Sequence, residues 1–213
     1  MAKFPNSPGI AALSKLTPAL YTLPAGNTLA RVYYTRSPHP QSWNRLRYVG
    51  PLNSRWDHHV PGAAGSLLPQ TRGIYYAAPD AKTCLAEVFQ ATRRIDRVFQ
   101  SPWLVAFETQ TPVVLLDLTG DFATRMGASM AIHPGHRGRA RGWARDLYEA
   151  FREAQGVLYA ASMAGGAPAV ALNERALEAP FFPAHPLLHR ALADDVLLDP
   201  LKHAARELGY ALR

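Results

Sequence analysis

The sequence predicts an α+β fold in a single domain, and three observations support this. The chain has 213 residues, of which 48% are hydrophobic, a size and composition that provide one sizeable core without disulfides or metals. Short segments rich in β-formers are interspersed with helical patterns, without the regular strand–helix alternation of a parallel α/β protein. No internal repeat or low-complexity tract divides the chain.

The first third predicts one strand between two irregular segments. Residues 1–28 are rich in Pro, Ser, Thr and Ala, which indicates an N-terminal extension with one short helix. Residues 29–34 alternate and favour a strand, so Arg31 shares a face with Leu29. Residues 35–73 contain many Pro, Gly, Asn and His and predict a long loop, which in a compact domain usually carries function.

The middle of the chain predicts a strand over 73–78, followed by a helix. Asp80 is placed to cap this helix, which is expected to run to about Arg94. Two further strands, over 103–108 and 113–118, are separated by Gln-Thr-Pro and predict a hairpin.

The last third predicts a mixture of helices and strands. Trp143, Leu147 and Phe151 recur every four residues, which indicates a helix over 139–155. The other predicted elements are a short helix over 119–126, strands over 156–162 and 168–173, and a helical tail over 187–213.

Common signatures of cofactor, metal and hydrolase sites are missing from the sequence. It contains no GxGxxG, Walker or HExxH motif, and no GxSxG surrounds Ser162. The pair His58–His59 has no third ligand at a useful spacing, so we interpret both as surface histidines and expect no metal site. The single cysteine, Cys84, excludes an internal disulfide and indicates a reducing compartment.

The N-terminus lacks the apolar region of a secretory signal, and no stretch approaches the roughly 20 apolar residues that span a bilayer. We therefore expect a cytoplasmic protein with no membrane partner. The net charge of +7 raises the local concentration of anions such as nucleotides, nucleic acid or an acidic protein.

Five short stretches, taken together and in order, resemble the successive motifs of the RES-domain family, which is named for its Arg, Glu and Ser. Tyr76 and Glu87 are 11 residues apart, the separation that the family pattern leads us to expect. The resemblance places the motifs within 29–176 of a RES domain over 29–213, although the segment between Arg55 and Tyr76 is longer than in compact members. The stretches are Ala30-Arg31-Val32-Tyr33, Ser54-Arg55-Trp56-Asp57-His58, Gly73-Ile74-Tyr75-Tyr76-Ala77-Ala78, Leu85-Ala86-Glu87-Val88-Phe89 and Leu158-Tyr159-Ala160-Ala161-Ser162.

The resemblance implies an ADP-ribosyltransferase-like mixed β-sheet core with flanking helices. It implies an enzyme that cleaves the nicotinamide–ribose bond of NAD+ with water or phosphate, taking NAD+ as its substrate and needing no separate cofactor. It also implies the toxin of a type II toxin–antitoxin pair. The partner would then be an Xre-type antitoxin, through which the chain could form a homo-oligomer.

The resemblance also assigns roles to five residues. Glu87 would stabilise the oxocarbenium-like centre that forms when the bond breaks, and Arg31 and Arg55 would hold the pyrophosphate through guanidinium forks. Tyr76 would stack on nicotinamide or ribose. Ser162 would bind the nicotinamide amide or orient the attacking water or phosphate.

Each residue also has a purely structural interpretation. Glu87 would be a solvated helix glutamate, Tyr76 a core tyrosine and Ser162 a turn former. Arg55 would be a surface arginine, whereas Arg31 fits this reading less well because a central strand seldom carries an unpaired charge.

Two alternative functions remain open at this point. A mono-ADP-ribosyltransferase would transfer the ADP-ribose to a macromolecule, but many such enzymes have a second acid two residues before the glutamate, where this chain has Leu85. A nucleic-acid-binding module would explain the positive charge, but no recognition pattern accompanies it. The basic run Arg137, Arg139, Arg141 and Arg145 is interpreted as a solvated helix face, with an antitoxin or nucleic-acid contact as the alternative.

Overall fold

The computed structural model describes residues 4–213 and confirms the predicted α+β class. Residues 1–3 of the predicted N-terminal extension lie outside the described residues. The helices are α1 Ile10–Leu13, α2 Ala81–Val88, α3 Phe122–Arg125, α4 Arg137–Ala150 and α5 Leu198–Leu208. The strands are β1 Leu20–Leu23, β2 Thr28–Tyr34, β3 Arg47–Gly50, β4 Leu68–Ala77, β5 Arg94–Ile95, β6 Pro102–Glu108, β7 Val113–Asp117, β8 Gly156–Ala161, β9 Ala167–Asn173, β10 Leu188–Ala191 and β11 Ala211–Leu212.

A mixed six-stranded sheet with the order β1-β7-β8-β9-β4-β3 forms the centre of the molecule. Within this sheet, as far as the structure describes it, the β7–β8 pair is parallel and the other pairs are antiparallel. A three-stranded antiparallel sheet, β10-β6-β2, meets it where Ala30 and Ala78 exchange backbone hydrogen bonds of 2.7 and 3.0 Å. This junction brings β2, which carries Arg31, beside the end of β4, which carries Tyr76.

The side chains of the central sheet alternate between two hydrophobic cores, as strand geometry requires. On β4, Ile74 packs beneath the helices with Trp143 of α4 and Leu85 of α2. Tyr75 points the other way, into the core between the two sheets, where it meets Phe107 of β6. Helix α2 also packs against β2, where the Cys84 thiol donates a 3.1 Å hydrogen bond to the Ala30 carbonyl.

The predicted loop over 35–73 was wrong in part, because β3 and the first half of β4 lie within it. Arg47 of β3 pairs with Ile74 of β4, and the register then shifts before Val49. The missed half of β4, over 68–72, is largely exposed and contains Pro69. It therefore has no apolar alternation from which a strand could be recognised.

The predicted hairpin between the strands over 103–108 and 113–118 was also wrong. β6 pairs with β2 and β10, whereas β7 pairs with β1 and β8 in the other sheet. The tail from residue 187 begins with strand β10 rather than with a helix, because β6 offers it a free edge. The predicted extension supplies β1, an edge strand of the central sheet.

The boundaries of three predicted helices differ in the structure. α3 is shorter than the predicted helix over 119–126, and α4 ends at Ala150 instead of residue 155. α2 ends at Val88 instead of near Arg94, because the chain turns at Arg93 (φ 48°) and Ile95 is buried in β5. α4 begins at Arg137, two residues earlier than predicted, with the His136 side chain as its N-cap acceptor. The earlier start places Arg137 on the first turn of this helix.

Replacing Asp80 should destabilise the fold through the cap of α2. Its carboxylate accepts hydrogen bonds from the Thr83 amide and hydroxyl, both 2.8 Å long. We expect Asp80→Ala to lower the free energy of unfolding by about 1 kcal/mol, measured by urea denaturation. Asp121→Ala is the matched control, because Asp121 is the N-cap of α3 and makes no side-chain cap bond. Equal losses in the two variants would contradict the assignment of this cap.

Candidate active site

Several separate elements contribute polar side chains to one cleft, which we call the arginine cleft. Its volume is about 320 Å³, within the range of small-molecule sites. It is bounded by β2, β4, β8, α2, the first residue of α4 and the loop before β4. Its polar lining residues are Arg31, Tyr33, Tyr34, Gln41, Asn53, Ser54, Arg55, Tyr76, Glu87, Gln90, Arg137 and Tyr159.

Four of the five residues singled out from the sequence line this cleft, namely Arg31, Arg55, Tyr76 and Glu87. Ser162, the fifth, is an exposed residue directly after β8 and is not part of the lining. It remains adjacent to the site through the chain, because the amide of Met163 donates a 3.2 Å hydrogen bond to Glu87 Oε1. The structure thus brings the backbone after Ser162 to the carboxylate, and not its hydroxyl.

Arg31 is 5% exposed, and most of its guanidinium is engaged by the protein. The group lies 4.0 Å from the centre of the Tyr75 ring. Nη1 donates to the Arg45 carbonyl over 3.3 Å, and Nη2 donates to the Gln41 side chain. Arg31 therefore ties the segment 41–45 to the wall of the cleft, and its Nη1–Nη2 fork is already occupied.

The loop before β4 is held by a buried ionic network. Asp57 accepts hydrogen bonds from Arg47 Nη2 and from the Leu52 amide, both 2.7 Å long, and its other oxygen lies 2.5 Å from His59 Nδ1. Burial raises the pKa of Asp57, but the His59 hydrogen bond and the Arg47 charge outweigh it and lower the pKa to about 2. The network therefore fixes the backbone before and after Arg55, at Leu52 and at Asp57.

The interpretation of His58 and His59 as surface histidines was wrong, because both are buried. His59 is enclosed as the partner of Asp57, while His58 stacks on Tyr148 of α4 with ring centres 4.6 Å apart. Burial lowers the pKa of His58. Tyr148 comes from α4, and Arg47 of β3 completes the environment of Asp57, so the local sequence does not indicate that the two histidines are buried.

Arg55 and Arg137 stand on neighbouring parts of the cleft wall and hold each other's segments. Arg55 Nη1 donates to the carbonyls of Ile132 and Gly135, at 3.2 and 2.5 Å, just before α4. Arg137 Nη1 donates over 3.3 Å to the carbonyl of Asn53, in the loop that carries Arg55. Burial and the nearby charge of Arg137 lower the pKa of Arg55, while Glu87 acts in the opposite direction. Arg137 is half-buried and lines the cleft, which the interpretation as part of a solvated helix face did not predict.

Glu87 is the one carboxylate among the described residues that line the cleft. It lies on the last turn of α2 and is partly buried. Its carboxylate accepts from the Met163 amide, and Gln90 Nε2 lies 3.4 Å from the second oxygen. These contacts orient the carboxylate without pairing it with a cation, so its charge is available to a bound ligand.

Two tyrosines accompany Glu87. The Tyr76 ring is partly exposed in the cleft, but its hydroxyl is buried and makes no direct hydrogen bond to a described residue. Burial and the charge of Asp57 raise the pKa of Tyr76, and the charge of Arg47 counteracts only part of this rise. Burial, followed by the charge of Glu87, also raises the pKa of Tyr159. Both phenols are protonated at neutral pH and can donate hydrogen bonds.

Tyr159 and Arg137 are among the cleft residues to which the sequence analysis gave no role in binding NAD+. Tyr159 lies within the fifth motif, three residues before Ser162, and strand alternation places it on the same face as Ala161. Arg137 is separated from the motifs, and only its position at the start of a helix could have distinguished it from the other arginines of its run.

The cleft carries a net positive charge. Arg31, Arg55 and Arg137 contribute +3 and Glu87 contributes −1, which leaves +2. Among residues 4–213, none of these four side chains forms an ion pair within 4.0 Å. A dianionic ligand would neutralise this excess in a site partly shielded from water.

The described residues contain no group of three His, Cys, Asp or Glu side chains arranged to hold a metal ion. No helix within residues 4–213 has the length and apolar composition needed to cross a bilayer.

Comparison with known proteins identifies the family and the fold. The family model of the RES domain matches residues 28–193. The crystal structure of the M. tuberculosis MbcT–MbcA toxin–antitoxin complex contains a chain similar to this one, with a TM-score of 0.54 and 15% sequence identity. The similarity covers 85% of this chain and 92% of that chain. No curated protein sequence matches the chain significantly.

Breaking the Asp57 network should destabilise the protein in a pH-dependent way. Asp57→Asn leaves Arg47 buried without its ion partner, and we expect it to lower the free energy of unfolding by about 3–5 kcal/mol at neutral pH. Because the folded-state pKa of Asp57 is about 2, below the unfolded value near 3.9, the carboxylate stabilises the fold above pH 4. This contribution is lost as the pH falls towards 2.

Urea denaturation of wild type and Asp57→Asn at pH 5 and pH 3 measures this effect. The difference in stability between the two proteins should shrink by roughly 1 kcal/mol at the lower pH. A difference that stays constant over this range would show that Asp57 is not held as a carboxylate in the folded protein.

Proposed function

Because the chain belongs to the RES-domain family, we propose that it is an NAD+-degrading enzyme that cleaves the nicotinamide–ribose bond. The observation that carries this proposal is the composition of the arginine cleft, where one unpaired carboxylate shares a cavity with guanidinium groups. NAD+ has the complementary pattern, since a ribose that becomes cationic during cleavage is joined to a doubly charged diphosphate.

The proposed step breaks the bond between ribose C1′ and the nicotinamide nitrogen, and the bonding electron pair leaves with nicotinamide, which becomes neutral. Glu87 then faces the positive charge that develops on the ribose, and fixed charges of this kind are often the largest catalytic term. Water or phosphate then forms a C1′–O bond. Attacking water releases a proton to the solvent, whereas phosphate adds through an oxygen that already carries negative charge. The raised pKa of Tyr159 keeps its hydroxyl protonated as a donor to the ribose or the departing amide, while Tyr76, whose hydroxyl is buried, offers its ring face.

A recess next to Glu87 provides room for an apolar group. It is lined by Val32, Ala78, Cys84 and Ala169 together with the rings of Tyr76 and Tyr159. A planar ring seated at its mouth would stack against an aromatic side chain while its amide points towards the phenols. Nicotinamide has this combination of flat ring and polar amide.

The cleft favours simple cleavage over transfer to a macromolecule. Leu85, two residues before Glu87, is 2% exposed and lies in the core, so no second acid accompanies Glu87 from that position. A transferase of the alternative type would use such an acid to activate its acceptor. We therefore propose a glycohydrolase or phosphorylase.

We also propose that the protein is the toxin of a type II toxin–antitoxin pair, with an Xre-type antitoxin as its partner and a homo-oligomer assembled through that complex. The similar chain in the MbcT–MbcA toxin–antitoxin complex supports this biological role. Expression of the chain alone in a bacterial host should arrest growth as cellular NAD+ falls. Growth arrest with unchanged NAD+ would contradict the link between the two proposals.

Glu87→Gln should strongly slow NAD+ cleavage while the protein stays folded. The amide has nearly the same shape but no charge to stabilise the transition state, and loss of such a group typically lowers kcat by about 10²–10³-fold. Nicotinamide release by the purified protein, with and without phosphate, is the measurement, and Glu153→Gln is the matched control because Glu153 is exposed and outside the cleft. Wild-type protein that leaves NAD+ intact in both buffers would overturn the proposed function.

A further inference from the structure

We propose that Arg137 is a phosphate-binding residue of the arginine cleft, which holds one side of a nucleotide diphosphate together with Arg55. The sequence analysis gave this role to Arg31 and Arg55 and placed Arg137 on a solvated helix face. The inference rests on the proposed function for the identity of the full substrate, but it concerns the diphosphate alone.

The hydrogen bonds of the two guanidinium groups leave the same edge of each group open. Arg55 and Arg137 are both tied to backbone carbonyls through Nη1. For Nε and Nη2 of either residue, the described part of the chain supplies no acceptor. These two nitrogens point in parallel along one edge of a guanidinium, and that edge binds two oxygens of a phosphate at once.

The arrangement is fixed before any ligand arrives. Arg55 is held by carbonyls just before α4, while Arg137, on α4, is held by the loop that carries Arg55. Arg141, one turn further along α4, also donates to Asn53, through the side-chain oxygen at 3.4 Å. Groups anchored in this reciprocal way lose little conformational freedom on binding.

The two cations are close enough for repulsion, since Arg137 contributes to the lowered pKa of Arg55. Neither has an acidic partner within 4.0 Å among residues 4–213, and Glu87 is the one carboxylate of the described lining. Arg31 differs from both, because its Nη1 and Nη2 already bind Arg45 and Gln41. The cation pair free to receive a dianion is therefore Arg55 and Arg137.

Arg137→Gln tests the inference, with Arg145→Gln as the matched control. Arg145 lies about two turns further along the same helix, carries the same charge and does not line the cleft. ADP and inorganic pyrophosphate are the probes, titrated into each purified protein by calorimetry. We expect Arg137→Gln to weaken the binding of both probes at least tenfold, as for loss of a charge-assisted hydrogen bond, and Arg145→Gln to change it less than twofold.

Arg137→Lys separates ligand binding from folding, because it keeps the charge but cannot make the two-nitrogen contact. We expect it to bind ADP with an affinity between those of wild type and Arg137→Gln, and to melt at the wild-type temperature. With NAD+, both variants should raise KM and leave kcat nearly unchanged, since Arg137 contacts a part of the substrate that does not react.

The inference is overturned if Arg137→Gln binds ADP as wild type does, if both glutamine variants lose affinity equally, or if wild type binds neither probe. Failure of the proposed function has a different signature. If wild-type protein binds ADP through Arg137 but releases no nicotinamide from NAD+, the proposed cleavage reaction is contradicted, while the proposed phosphate site is still supported.

Discussion

The shape of the arginine cleft depends on the buried carboxylate of Asp57, which does not itself line the cleft. Asp57 joins Arg47 of β3 to His59 and to the Leu52 amide, and so fixes a loop that has little regular structure of its own. Arg55 lies in the middle of this fixed segment. Asp57 therefore acts together with the bonds of Arg55 to the carbonyls before α4 and of Arg137 to Asn53, which hold the same loop against the helix.

A second constraint is the junction of the two sheets. The bridge between Ala30 and Ala78 and the bond from Cys84 to Ala30 hold β2, β4 and α2 at one point. Tyr76 lies near the end of β4 and Glu87 near the end of α2, on either side of Ala78 in the sequence. The short turn between β4 and α2 therefore sets the distance between these two side chains. The sheets provide a rigid base, while the charges come from the loops and helix ends around it.

The charge balance of the cleft links this architecture to its chemistry. Positive groups are concentrated where no acidic partner meets them, although the chain pairs its arginines elsewhere, as in Arg72 with Glu149. Leaving cations unpaired in a partly desolvated site costs stability. That cost is offset when an anionic ligand binds, and it indicates a site selected for binding and not for folding.

The sequence could predict those features whose stabilising contacts lie between residues close together in the chain. Glu87 and Tyr76 were singled out by the resemblance to the RES-domain family, and the elements that carry them, a strand and the helix capped by Asp80, could be predicted because they are encoded locally. The environments of Arg137 and His59 could not be predicted because part of each comes from a distant segment. Asn53 accepts a hydrogen bond from Arg137, and Arg47 of β3 contacts Asp57, the partner of His59. Ser162 illustrates the remaining limit, since a motif can place a residue beside a site without indicating which of its atoms faces it.

A crystal structure of Glu87→Gln with NAD+ bound would test the central claim most directly, because this variant should bind the substrate without cleaving it. We expect the diphosphate to contact the guanidinium groups of Arg55 and Arg137, and the nicotinamide-bearing ribose to lie against residue 87. NAD+ bound outside the cleft, or bound with its ribose remote from residue 87, would contradict it.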